Sequence, residues 1–320
     1  MRLLRFVPLL ALACTIRAFA GVPTVPSLEH QRVLVLGDSI TQDGRYVTYL
    51  EYYLHRLAPA TGCDLISIGL GSETVSGLTE PGHPYPRPWA LERLGRALAA
   101  VKPTVVFACY GMNDGIYHPA SPERRAAFAA GLQQLITQVR AGGARLVLLT
   151  PPIFDARSVR EKTVPAGAPA FGYGHFFEGY DSVLAEFAAA ELALRAQDLK
   201  VIDVHRAMAD ALAAAKIADP AATFSPDGVH PNDAGHLVIA RAILAGLDLP
   251  VAAVSLDAEL KRVASDPLFA LVRDRRSLRS EAWLPFVGYT RGPSFKSESV
   301  TAAERVAAGL AQQIEALAAK

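Results

Sequence analysis

Leu34-Val35-Leu36-Gly37-Asp38-Ser39-Ile40-Thr41 begins as an uninterrupted apolar run, stops at a glycine, and then places a carboxylate and a serine ahead of a helical pattern. A run apolar at consecutive positions suits a strand buried on both faces, and such strands belong to parallel sheets covered by helices. Similar runs, rich in β-branched residues and bounded by Gly, Pro or Asp, occur at 33–37, 65–70, 104–110, 145–150 and 200–204. Helical patterns lie between them. The clearest opens with Ser121-Pro122 and carries Phe128, Leu132, Leu135, Ile136 and Val139 on one stripe before Gly142-Gly143 ends it. Stretches 180–197 and 232–247 read as further helices. Five strands alternating with helices predict an α/β fold: a three-layer α/β/α sandwich on a five-stranded parallel sheet, with its site at the carboxyl ends of the strands.

The residues that carry chemistry fall at those ends. Ser39 follows the first strand, Gly71-Ser72-Glu73-Thr74 the second and Gly111-Met112-Asn113-Asp114 the third; Asp227-Gly228-Val229-His230-Pro231 lies beyond the last. A serine hydroxyl is a poor nucleophile at neutral pH unless an imidazole takes its proton and a carboxylate holds that imidazole in one tautomer. The chain supplies all three, in the order Ser, Asp, His. The nucleophile elbow G-x-S-x-G is absent, because Thr41 stands where its second glycine belongs, which disfavours the α/β-hydrolase arrangement. Each residue alone has an ordinary reading: Ser39 as a helix cap, Asn113-Asp114 as an Asx turn, Asp227-Gly228 as a turn, His230 as a surface histidine. Their joint occurrence at one sheet edge favours catalysis.

Set side by side, these blocks resemble the SGNH hydrolase superfamily, the GDSL-type lipases and esterases, over residues 31–248. The resemblance implies a flavodoxin-like sandwich, with Ser39 as nucleophile, Asp227 and His230 as acid and base, and Asn113 in the oxyanion hole with the Ser39 N–H. The second block departs from the family pattern, since Ser67 replaces an asparagine. Counting back from Thr74 puts the remaining oxyanion N–H on Ser72, and matching glycine to glycine puts it on Gly71; Ser72 is preferred. The implied activity is carboxylic ester cleavage through an acyl-enzyme, with no cofactor. Short acyl or acetyl esters of carbohydrates are the expected substrates. An acyltransferase, or a lipase or thioesterase with the same triad, remains an alternative, as does a non-catalytic carbohydrate-binding protein on this fold.

The chain has 320 residues and a formal net charge of +1, which gives no reason to expect nucleic acid or an anionic membrane as partner. Arg2 and Arg5, the apolar stretch 6–15 and Ala18-Phe19-Ala20 read as a signal peptide cleaved near Ala20, hence export to the periplasm or beyond. The stretch is too short to span a bilayer, and Ala11-Leu12-Ala13 before Cys14 is a poor lipobox. Cys109, inside an apolar run, reads as a buried thiol. His230, Asp233 and His236 recur every three residues, but Asn232 and Asp233 are better explained as helix caps than as parts of a metal site. The proline-rich segment 81–88, with His83, and the long aromatic stretch 154–179, with His175, are candidates for walls of the site. The hydrolase domain is expected over 21–250 and a helical extension over 251–320. In the extension a capping box at Thr301-Ala302-Ala303-Glu304 precedes a stripe of Val306, Leu310, Ile314 and Leu317, while 283–291 reads as aromatic and non-helical.

Overall fold

The computed structural model describes residues 28–196, 198–251, 253–292 and 299–318, so the signal-peptide reading of 1–20 and Cys14 lies outside the described residues. Five strands, β1 (Arg32–Gly37), β2 (Asp64–Ser67), β3 (Val105–Cys109), β4 (Arg145–Leu149) and β5 (Leu199–Ile202), form one sheet in the order β2-β1-β3-β4-β5. All four pairings are parallel. The central β3 is buried along its whole length, as its unbroken apolar run requires.

The predicted run 65–70 ends as a regular strand at Ser67, although Ile68 and Leu70 still donate backbone hydrogen bonds to Val35 and Gly37 of β1. The strand order reverses direction between β1 and β3, which opens a crevice beyond their carboxyl ends. The register pairs Gly37 with Cys109 and Val35 with Ser67, so the loops leaving β1, β2 and β3 emerge side by side.

Helices cover both sides. A short α1 (Ser39–Asp43) leads into α2 (Arg45–Leu57), which packs on α7 (Asp233–Gly246), and α7 packs on α6 (Val204–Ala218). The other row is α3 (Ala90–Val101), α4 (Pro122–Ala141) and α5 (Tyr180–Ala193). The result is the expected α/β/α sandwich. At the start of α4 the Ser121 side chain accepts from the Arg124 N–H, and all five residues of the predicted stripe are buried. Helix α5 stops at Ala193, four residues before its predicted end, because the chain turns back and Ala196 pairs with Leu199 at the mouth of β5.

The C-terminal region forms α8 (Leu256–Ala264), α9 (Pro267–Val287) and α10 (Val300–Ala318). Residues 283–287 are helical, against expectation. Pro285 lies in the last turn of α9, where few backbone bonds depend on it, and Trp283, Leu284 and Val287 are buried by packing. The capping box does not form: α10 already begins at Val300, so Thr301 lies inside it, and the Glu304 carboxylate accepts from Arg279 and from the Trp283 indole of α9. Val306 is exposed, whereas Ala303, Ala307 and Ile314 carry the buried stripe. Helix α9 lies along β2, the open edge of the sheet. There Arg279 donates to the Leu65 carbonyl at 2.7 Å and to Asp64 at 2.6 Å. An edge strand left bare is a template for wrong pairing, and this helix covers it.

Arg279 is 2 % exposed, so Arg279→Ala leaves Asp64 and the Leu65 carbonyl short of a donor and is expected to cost about 3 kcal/mol. Arg273, paired on the surface with its neighbour Asp274, should change stability by less than about 0.5 kcal/mol on the same substitution. Urea unfolding followed by circular dichroism measures both.

Candidate active site

Each predicted residue is placed by the end of a different element. Gly37 ends β1, and Asp38 caps α1 by accepting from the Ile40 N–H at 3.0 Å. The cap is therefore Asp38, and the Ser39 side chain is left for another partner. Its Oγ lies 2.8 Å from His230 Nε2, and His230 Nδ1 lies 2.7 Å from Asp227 Oδ2. An ionised carboxylate only accepts, so Nδ1 carries the proton and Nε2 faces the serine as acceptor.

The other oxygen of Asp227 accepts the backbone N–H groups of Val229 and His230, at 3.0 and 2.7 Å. Burial raises the Asp227 pKa, but these bonds outweigh it and hold the carboxyl down to about 2. His230 is raised above the ordinary imidazole value, chiefly by its hydrogen bond to Asp227. Asp38 lies beneath this pair, and burial pushes its carboxyl up to about 7.

On the other side stand Asn113, Ser72 and Gly71. Asn113 Oδ1 accepts from Arg87 Nη1 and from the Tyr117 hydroxyl, each at 3.0 Å. Two donors on one oxygen fix which end of the amide is which. One Nδ2 hydrogen goes to the Glu73 carbonyl at 3.2 Å, leaving the second free. The Gly71 N–H donates to Gln42 Oε1 at 2.7 Å, whereas the Ser72 N–H has no acceptor among the described residues. Ser72 takes a left-handed conformation, φ 63°. Glycine adopts this region without steric cost and a serine does not.

Ser39, Gly71, Ser72, Asn113 and His230 all face one cavity of about 540 Å³. Asp227 stands behind His230. Both candidate wall segments reach the cavity: His83 and Tyr85 from the proline-rich loop, Phe171, Tyr173 and His175 from the aromatic one. The His83 ring is held by the Tyr85 carbonyl 2.5 Å from Nδ1.

His230, Asp233 and His236 do not converge. Asn232 caps α7, Asp233 pairs with Arg45 at 2.9 Å, and His236 Nδ1 accepts from the Tyr46 N–H at 3.2 Å. Burial drives the His236 pKa down to about 3. Among the described residues no group of three His, Cys, Asp or Glu side chains is placed to hold a metal ion. Cys109 is a buried free thiol in β3.

The sequence reading missed Arg87, Glu80 and Asp114. Arg87 and Glu80 form a buried ion pair under the cavity, with bonds of 2.6 and 2.5 Å. Asp114 accepts the N–H groups of Val75, Ser76 and Gly111. A charged residue inside an otherwise solvent-type loop carries no local mark of burial; the one hint was an arginine between prolines.

A model of the GDSL-like lipase/acylhydrolase family matches residues 35–238. No curated protein sequence matches the chain. Among solved structures, a gut microbial diltiazem-metabolizing enzyme aligns with a TM-score of 0.53 at 19 % identity, over 71 % of this chain and 48 % of that longer one. A catalytic mutant of an acetylxylan esterase from Geobacillus stearothermophilus aligns with a TM-score of 0.50 at 19 % identity, over 71 % of this chain and 96 % of its own. A structure described as a GDSL-like lipase from Parabacteroides merdae gives 0.50 at 17 % identity, over 71 % and 99 %. These likenesses are of fold.

The half-exposed His230 and the buried His236 should titrate on opposite sides of the ordinary imidazole value. The His230 ring is expected to titrate above 6.5, because the carboxylate favours its charged form, and to fall when Asp227→Asn removes that charge. The His236 ring should stay neutral down to about pH 3 for as long as the fold persists. Ring proton shifts in an NMR pH titration read both.

Proposed function

Because the chain belongs to the GDSL-like lipase/acylhydrolase family, whose members hydrolyse ester bonds, we propose that it cleaves short-chain acyl esters, acetyl above all, from carbohydrates, with Ser39, His230 and Asp227 as its triad. The observation that carries this reading is the unbroken relay from Ser39 Oγ to His230 to Asp227 at 2.8 and 2.7 Å, opening on a cavity that also receives Asn113 and Ser72.

In this reading Ser39 Oγ attacks the ester carbonyl while its proton passes to His230 Nε2. The carbonyl π pair moves onto oxygen. Asp227 holds the ring and stabilises the imidazolium. The oxyanion is met by the N–H groups of Ser39 and Ser72 and by the free Asn113 Nδ2 hydrogen; Gly71, already donating to Gln42, is left out. His230 then gives its proton to the departing alcohol oxygen, and the acyl group stays on Ser39. Water, deprotonated by the same nitrogen, releases the acid. Residues 21–250 would form the catalytic unit, and 251–320 a helical extension that covers its sheet edge.

The walls support a sugar and a short acyl group. Phe171, Tyr173 and Tyr85 offer aromatic faces at the cavity, and such faces stack on sugar rings. Beneath Asn113 the Arg87–Glu80 pair and Tyr117 close the floor with polar groups, so among the described residues no apolar tunnel continues from the serine for a long alkyl chain. The structural likeness to an acetylxylan esterase agrees with this choice.

Ser39→Ala should abolish turnover of 4-nitrophenyl acetate in folded protein, and Asn113→Ala should lower kcat about 10²-fold or more, as for other oxyanion donors. Retained turnover in the serine variant overturns the triad. Across 4-nitrophenyl esters, kcat/KM should fall from C2–C4 to C12, and acetylated xylo-oligosaccharides should release acetate. A steady rise with chain length, at about 0.8 kcal/mol of binding per methylene, is the mark of an apolar tunnel and would overturn the substrate reading.

A further inference from the structure

We infer that Arg87 is the positioning residue of the oxyanion site, its single guanidinium holding the Asn113 amide and the Ser72 peptide together and polarising the amide toward substrate. This rests on the reading of Asn113 and Ser72 as oxyanion donors. Arg87 is 1 % exposed and does not face the cavity, so it acts through others.

The geometry divides the guanidinium by function. Nε and Nη2 bond the two oxygens of Glu80, at 2.6 and 2.5 Å, a fork-to-fork pair that fixes the plane of the group. Nη1 then points one way only, at Asn113 Oδ1 (3.0 Å) and the Ser72 carbonyl (3.4 Å). The Tyr117 ring packs beside the guanidinium, 5.5 Å from centroid to carbon, and its hydroxyl is the second donor on Asn113 Oδ1. A turned amide would present Oδ1 to the cavity and repel a developing oxyanion. Two donors, one of them cationic, forbid that.

They also draw density toward Oδ1 through amide resonance, which makes the free Nδ2 hydrogen a stronger donor. That gain grows with the charge on the substrate oxygen, so it belongs to the transition state and to kcat. The Ser72 peptide benefits from the same anchor, which holds its carbonyl and thereby aims the loop. Lysine cannot replace this arrangement, since one ammonium has no plane to share among three acceptors on opposite sides.

The test is a double-mutant cycle on the full chain with 4-nitrophenyl acetate. Arg87→Met with Glu80→Gln removes both buried charges together, and Tyr117→Phe removes only the second donor. In the wild-type background kcat should fall about 10²-fold for the first and about 5-fold for the second, with KM changed less than 3-fold. Arg87→Lys should recover less than a tenth of the lost rate. In the Asn113→Ala background Tyr117→Phe should cost nothing, and Arg87→Met/Glu80→Gln less than about 10-fold, its residue reporting on Ser72. Equal losses in both backgrounds, or a rise in KM with kcat unchanged, overturn the inference. Should the charge-free pair fail to fold, Arg87→Lys takes its place: a loss in kcat of about 10-fold or more that shrinks in the Asn113→Ala background supports the inference, and an unchanged kcat or an equal loss in both backgrounds overturns it. If Ser39→Ala retains turnover, the reading of the site falls; if Ser39→Ala is dead and the cycle shows no coupling, only the inference about Arg87 falls.

Discussion

The carboxylate of Asp114 is the constraint on which the proposed oxyanion side depends. It accepts the N–H groups of Val75 and Ser76 from the loop after β2, and that of Gly111 from the loop after β3. Parallel strands share no turn, so nothing in the sheet itself holds two neighbouring loops in register once they leave it. Asp114 supplies that register from inside, fully buried. Gly111 contributes through a left-handed backbone, φ 123°, and the position its Cβ would take is 2.8 Å from Pro151, so no other residue fits this turn unchanged. With the two loops locked, Ser72 and Asn113 face the same cavity.

The sheet was legible because each strand is buried on both faces and so reads as an unbroken apolar run. Ser39, Asn113, Asp227 and His230 were legible because each lies in a short block whose geometry is local: a strand end, a turn, a carboxylate three residues before its imidazole. What escaped depends on partners far apart in sequence. Arg87 reads as a charge in a proline-rich surface segment until Glu80, seven residues earlier, and Asn113, in another loop, are brought to it. The same cause explains Pro285 and Glu304. Proline signals a break, but the packing of Trp283 and Val287 carries α9 past it, and a glutamate spaced for a capping box is drawn instead to Arg279 and Trp283.

The C-terminal helices follow from the strand order. With β2 at an edge, the carbonyls that do not pair with β1 face outward, and α9 meets that of Leu65 with an arginine whose other bonds go to Asp64 and Glu304. Asp64 is shared: Arg275 and Arg32 also reach it, at 3.1 and 3.3 Å. The extension is thus tied to the sheet through charge at the foot of β2, at the end of the strand opposite to the candidate site. None of its described residues lines the cavity, although Arg291 reaches Thr79 and Gly292 lies against Tyr85 in the loop that forms one cavity wall.

The two arms of the site are built on different physics, and this determines how each responds to change. The proposed base arm is solvated: the His230 and Asp227 side chains are 36 % and 43 % exposed, and Asp227 keeps its low pKa through hydrogen bonds rather than through burial. Truncating either leaves no buried charge behind, so the effect falls on proton transfer and little on folding. The oxyanion arm is dry. Asn113 leans on Arg87, Arg87 on Glu80, and all three lie within a few per cent of full burial. Removing one partner there strands a charge or an amide in the interior, where an unpaired group costs several kcal/mol, so rate and stability fall together. In the proposed mechanism, a site divided in this way keeps its proton shuttle in contact with water, which the second half of the cycle would consume. Of the proposed oxyanion donors, Asn113 is the buried one, held where a low dielectric strengthens its bonds.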